Sequence, residues 1–189
     1  PQVNSMCKKA FWSLHSLSKL KNFLPLPIKS LLVKILVFPH LEYCDTILSN
    51  LKEEQGNRLQ RIQNACLRFV FNLKYSHHLT PSYKKLSMLR LSERRLSHRL
   101  TLLFKTLRLQ QPSYLAERFQ PLYMHHERNT RSRDNNLLSV PLHTSTFYSK
   151  SFTVSAIQAW NTLPINLRQL KSIPTFKKSV SDHLLSKYN

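Results

Sequence analysis

Metal-assisted phosphoryl transfer needs two or three carboxylates converging on Mg²⁺, which wants oxygen ligands and must offset phosphate charge. This chain has little to offer such a centre. Its three Asp residues, Asp45, Asp134 and Asp182, are far apart, and among its six Glu only Glu53 and Glu54 adjoin. That pair falls where a helix is expected to begin, and carboxylates there complement the positive end of the helix dipole. The nine His include the pairs His77–His78 and His125–His126. Sequence neighbours do not face each other on a helix, and no His-x-x-x-His occurs, so these read as loop histidines adding positive charge near a polyanion. Cys7, Cys44 and Cys66 form no Cys-x-x-Cys pair, which leaves neither a zinc ribbon nor a disulfide framework and fits a reducing, intracellular compartment. No catalytic residue, metal ligand or cofactor is expected on this chain.

One glycine, Gly56, stands in 189 residues. A Walker loop needs two glycines, a dinucleotide fingerprint three, and a nucleophile elbow two around its Ser, so these chemistries are excluded. The charge points elsewhere: 29 Lys and Arg against 9 Asp and Glu give +20. The excess is spread evenly, +7 over 1–76, +7 over 77–128 and +6 over 129–189. A basic globule of this kind favours polyanions, with RNA or an RNA/DNA duplex as the expected partner; an acidic neighbour in a larger chain is the alternative. The candidate contacts are Arg58, Arg61 and Arg68 on one helix, Arg90, Arg94 and Arg108 on another, and Arg131 and Arg133 in a Thr-Arg-Ser-Arg loop. Guanidinium forks suit phosphate, and acidic partners are nearly absent from these faces. Arg131 and Arg133 suit backbone carbonyls of the C-terminal segment equally well.

The elements that must carry these arginines are helical. Val3, Met6, Cys7, Ala10, Leu14 and Leu17 form a stripe over Val3–Phe23, which Pro25 and Pro27 end. Ile28–Phe38 is apolar nearly all round and is expected to be buried, with Pro39 breaking it. Leu51–Leu73 places Leu59, Ile62, Cys66, Phe69, Val70 and Leu73 on one face and Arg61 and Arg68 opposite. A second amphipathic helix runs from Ser92, a suitable N-cap, to Gln111 and presents Leu96, Leu100, Leu103, Phe104 and Leu107. Residues 138–149 alternate with period two, which predicts an extended or hairpin element restricted by Pro141. Helices at Ser151–Thr162 and Thr175–Tyr188 close the chain, and both Trp12 and Trp160 are expected in the core. The fold class is therefore mostly α, a helical bundle with one short extended element and a helical C-terminal subdomain. The expected organisation is 1–75, a helical region, 76–128, an amphipathic connector, and 129–189, a C-terminal subdomain. The longest stretch free of charged residues, Ser151–Leu167, holds Gln158, Asn161, Pro164 and Asn166, so no membrane span is expected. A start at Pro1 without a secretory leader reads as a fragment, cytoplasmic or nuclear rather than secreted.

Phe38-Pro39-His40-Leu41-Glu42-Tyr43-Cys44 followed by Leu59-Gln60-Arg61-Ile62-Gln63-Asn64-Ala65-Cys66-Leu67-Arg68-Phe69 resembles the segment after the palm in jockey-like non-LTR retrotransposon reverse transcriptases. The likeness continues in order through Leu89–Leu107, Pro112–Leu115, Thr130–Ser132, Ser151-Phe152, Ala159–Pro164, Arg168 and Pro174–Lys178. The resemblance implies a thumb-like region and polyprotein tail that contacts a template–primer duplex. It places the fingers, the palm with its Tyr-x-Asp-Asp site, and the Mg²⁺ that site holds upstream of these residues. A host-adopted or degenerate basic protein acting through protein interaction is the alternative.

Overall fold

A computed structural model describes residues 2–48, 51–125 and 135–188, and the chain is mostly helical. Its contacts divide it into two compact units. Unit 1 comprises Pro1–Asp45, Leu51–Glu93 and Lys187–Asn189; unit 2 comprises Thr46–Asn50 and Arg94–Ser186.

In unit 1, helix α1 (Gln2–Ser18) buries Val3, Met6, Ala10, Leu14 and Leu17, the expected stripe apart from Cys7, which is half-buried, and packs on α4. Trp12 does not join the core: it is 65% exposed, because it lies about 200° around the helix from Ala10. Helix α2 (Leu26–Leu32) begins behind Pro25 and opens into a π-helical turn, Val33–Val37, in which the Phe38 N–H reaches back to the Val33 carbonyl. Helix α3 (Phe38–Glu42) follows at once. Pro39 therefore does not break the segment. It stands in the first turn of α3, directly after the π-helical turn, where a missing N–H is tolerated. Nor is this segment buried all round. Lys29, Ser30, Val33, Val37, Phe38 and Leu41 face inward, while Leu31, Ile35 and Leu36 are exposed.

Helix α4 (Glu53–Phe71) carries Glu53 and Glu54 in its first turn and buries Leu59, Gln63, Cys66, Leu67, Phe69 and Val70. The backbone N–H of Lys52 donates to Gln55 Oε1 at 3.2 Å, and the helix ends at Asn72 in the left-handed region, φ 55°. The Asn72 side-chain oxygen accepts from Lys29 Nζ at 3.0 Å, and the same ammonium lies 5.7 Å from the Phe69 ring. Short helix α5 (Thr80–Lys85) leads to α6 (Leu91–Leu109), within which the division between the units falls. Ser92 lies inside this helix and does not cap it. The first N–H groups are met from elsewhere in unit 1: Leu91 donates to Gln60 Oε1 at 3.1 Å and Arg90 to the Tyr188 hydroxyl at 2.6 Å.

Unit 2 is built from the rest of α6, a short helix α7 (Ser113–Ala116), a 3₁₀ turn at Leu122–His125, and α8 (Thr146–Ser149), α9 (Phe152–Asn161), α10 (Ile165–Arg168) and α11 (Ile173–Leu185). The Ser151 hydroxyl caps α9 by accepting from the Val154 N–H. Phe104 stacks on Phe176 at 4.1 Å between ring centroids, with Trp160 5.8 Å from Phe176; Trp160 is 3% exposed, as expected of a core residue.

The hairpin expected near 138–149 is absent. Among the described residues there is an isolated antiparallel bridge between Pro121 and Leu138 and no strand. The Asn161 carboxamide takes both backbone groups of Leu138, accepting its N–H at 3.0 Å and donating to its carbonyl at 2.9 Å, so a side chain occupies the edge a strand would have used. Pro141 has no N–H to extend a ladder. Leu142 and Phe147, at alternate register positions, are both exposed, so the alternation buries no common face.

Replacing Phe104 by Ala removes the stacked partner of Phe176 from a fully buried position. The expected cost is about 3–5 kcal/mol in urea unfolding followed by Trp160 fluorescence; a loss under about 1 kcal/mol contradicts this packing.

Candidate nucleic-acid interface

Four of the eight arginines singled out from sequence fall on two open surfaces of unit 1. The first is a cleft of about 440 Å³ whose wall includes Arg68, Arg90, His77, His78 and Tyr83. Its floor is a chain of amide and phenol hydrogen bonds. Gln60 Nε2 donates to Tyr83 Oη at 2.7 Å and to Gln63 Oε1 at 2.8 Å, and Tyr83 donates to Asn64 Oδ1 at 2.7 Å. Gln63, fully buried, donates to the Leu89 carbonyl at 2.9 Å. These bonds tie the 83–91 segment to α4 and fix where Arg90 emerges.

Each arginine of the cleft is steadied by neutral partners. Arg68 Nη2 donates to the Tyr75 carbonyl at 3.1 Å and its guanidinium lies 4.7 Å from the Tyr75 ring centroid. Arg90 sits between the rings of Tyr83, at 5.9 Å, and Tyr188, at 5.3 Å. Tyr188 in turn donates to Glu93 Oε2 at 2.7 Å. Two guanidiniums and two imidazoles line the cleft with no carboxylate among the described residues of its lining, which is an arrangement for receiving an anion.

The second surface is a shallow groove between α1 and α4, lined by Arg58, Arg61, Lys8, Phe11 and Trp12. Arg58 Nη1 is held by Asn4 Oδ1 at 2.8 Å, while Arg61 is exposed. Phe11 and Trp12 are also exposed, so the groove pairs cations with open aromatic faces, the combination on which unstacked bases rest.

The remaining candidates lie apart from these surfaces. Arg94 is half-buried on α6 and belongs to unit 2. Arg108, also in unit 2, donates to the Leu170 carbonyl and lies 5.4 Å from the Phe104 ring centroid, holding two stretches of that unit together. Arg131 and Arg133 lie outside the described residues. Tyr83, Tyr188 and Trp12 were not singled out from sequence as site residues. For Trp12 a signal existed, since the helical stripe itself turns that position outward. For the two tyrosines none did, because their partners lie 19 to 98 positions away.

No family model, curated protein or solved structure matches the chain. Among the described residues no helix is long and apolar enough to cross a membrane, and no group of His, Cys, Asp and Glu could hold a metal ion.

Burial shifts three groups beside the cleft. It pushes the Cys66 thiol from 9.0 up to about 12, and it raises the hydroxyls of Tyr83 and Tyr188 well above their ordinary 10.0; a neighbouring Glu93 raises Tyr188 further. In all three the folded state holds its proton more tightly than the unfolded chain. Their contribution is therefore fully present below about pH 9 and is lost as pH rises towards 12. Denaturant midpoints should fall between about pH 8 and about pH 11, and at about pH 8 a disulfide reagent should modify exposed Cys44 readily but Cys66 only on unfolding. Rapid labelling of Cys66 in the folded chain would contradict this burial.

Proposed function

We propose that the chain binds structured RNA or an RNA/DNA duplex, chiefly through phosphates, with little sequence preference and no polymerase centre of its own. The observation that carries this reading is the pair of unit 1 surfaces, where arginines meet exposed histidines or open aromatic rings and, among the described residues, no carboxylate lines either one. Backbone-directed guanidiniums give affinity without sequence reading, and Trp12 and Phe11 offer a platform for an unpaired base beside the duplex. This is the role that the resemblance to the thumb and tail of a non-LTR retrotransposon reverse transcriptase implies. On that reading the fingers, palm and Mg²⁺ site belong to other parts of a polyprotein acting inside the cell.

A second reading, a basic protein of host-adopted or degenerate origin working through protein contacts, is favoured by one observation. Phe23, Leu31, Ile35 and Leu36 in the first part of unit 1 are exposed apolar side chains.

Anisotropy of labelled duplexes at several salt concentrations separates the two. If about five to seven phosphates are contacted, log K falls with log[salt] at a slope near −5 to −6. Arg68→Gln with Arg90→Gln should flatten that slope by about one to two units. Trp12→Ala should weaken single-strand binding by about 1–3 kcal/mol at an unchanged slope, because stacking releases no counterion. A slope near zero in the unaltered chain removes the nucleic-acid reading and leaves the protein-contact reading.

The purified chain should extend no primer with Mg²⁺ or Mn²⁺, since its three Asp are scattered along the sequence. Extension above a vector-only control that survives repurification would refute this.

A further inference from the structure

Unit 2 contains a cationic cavity that plays no part in the unit 1 surfaces. Arg168, the last residue of α10, is 8% exposed, yet its Nε and Nη1 have no hydrogen-bond partner. A buried guanidinium without acceptors is costly, because nothing replaces the water it gave up. Desolvation accordingly lowers its pKa, although a guanidinium stays charged at neutral pH. Arg168 lines a cavity of about 210 Å³ together with Arg108, Tyr123, Trp160 and Leu138.

The cavity is rigid on several sides. Trp160 Nε1 donates to the Asn136 carbonyl at 2.8 Å, Asn161 clamps Leu138, and Arg108 is tied to the Leu170 carbonyl. Among the described residues its lining holds two guanidiniums and no carboxylate, beside aromatic and aliphatic walls. Two positive charges suit a dianion better than a single negative charge, and the apolar walls suit a flat body attached to it. We infer that this cavity is a binding site for a phosphate monoester joined to a nucleoside, with the phosphate at Arg168 and Arg108 and the nucleoside towards Tyr123 and Trp160. A free nucleotide and the phosphorylated end of a strand both present this group. An internal phosphodiester, with one charge and substituents on two sides, does not.

The chain has two Trp residues, so Trp12→Phe leaves Trp160, in the cavity wall, as the sole indole reporter. In that full-length variant adenosine 5′-monophosphate should change Trp160 emission saturably, with a Kd on the order of 100 µM. Adenosine and a dinucleotide joined by a phosphodiester should do so at least tenfold more weakly. The same oligonucleotide with a 5′-phosphate and with a 5′-hydroxyl then tells a strand end from a free nucleotide: a response to the phosphorylated strand adds strand ends to the ligands, and a response to the mononucleotide alone restricts the site to free nucleotides.

Arg168→Gln should abolish the response, whereas Arg68→Gln with Arg90→Gln should leave it intact, so failure here is distinct from failure of the unit 1 interface. Arg168→Met should raise the melting temperature without ligand by about 3 °C or more, as expected when an unpartnered buried charge is replaced by an apolar chain. If Arg168→Gln does not fold, Arg168→Lys, which keeps the charge but loses the fork, should bind at least tenfold more weakly. The proposal is overturned by an absent response to the monophosphate, by an equal response to adenosine, or by unchanged affinity in the Arg168 variants. It is equally overturned if a peptide ending in an aromatic residue and a free carboxylate binds more tightly than the nucleotide, which would make the cavity a protein-contact site.

Discussion

The Gln63 carboxamide, shut away from water on α4, is the point on which the architecture of unit 1 turns. It must find partners for both its amide atoms, and the ones it finds are the Leu89 carbonyl and the polar cluster around Tyr83. A buried amide left unsatisfied costs on the order of 1–3 kcal/mol, so a chain that keeps Gln at this position is committed to bringing residues 83–91 alongside α4. Gln60 then supplies the oxygen that caps α6 at Leu91, and Tyr188 does the same for Arg90. One buried polar side chain thus decides where a helix begins, where the C-terminal tyrosine docks and which way the cleft opens. Networks of this kind specify geometry more than they add stability, because each bond replaces one made to water.

Unit 2 rests on a different device. Phe104, Trp160 and Phe176 come from three helices and meet as a ring cluster, so its core depends on non-directional burial that tolerates adjustment better than an amide chain does. Its polar clamps, Asn161 on Leu138 and Arg108 on Leu170, act at the margins, where irregular backbone would otherwise leave groups unmet. The two units thereby illustrate opposite routes to a fixed shape on one mostly helical chain.

The long amphipathic helices were legible from sequence because periodicity reports burial directly: α1, α4 and α6 bury most of the face their apolar spacing marked, although Ile62, Leu73, Leu96 and Leu107 are only half-buried, and α9 and α11 form where helices were expected. What was illegible depended on partners distant along the chain. Pro39 reads as a breaker unless the turn before it is known to have opened, and nothing local in Val33–Val37 announces that. The alternating stretch after Leu138 reads as a strand unless Asn161 is known to take the strand's hydrogen bonds. Ser92 reads as a cap unless Gln60 and Tyr188 are known to have arrived first. At the candidate interface, the arginines could be named because charge survives any fold, but their grouping into Arg68 with Arg90 and Arg58 with Arg61 required tertiary structure. Arg168 offered no sequence signal as a cavity residue, since burial alone makes its charge unusual.

Arg58, Arg68 and Arg108 share one further property. Each is anchored by a neutral acceptor, respectively the Asn4 amide and the carbonyls of Tyr75 and Leu170. Pinning a guanidinium with a carboxylate would have ordered it while cancelling its field at a distance; pinning it with a dipole orders it and leaves the field intact. The long side chain gives up part of its rotamer freedom when the protein folds, so less remains to be given up to any group that the guanidinium contacts. At these three positions the fold therefore orients a cation without neutralising it.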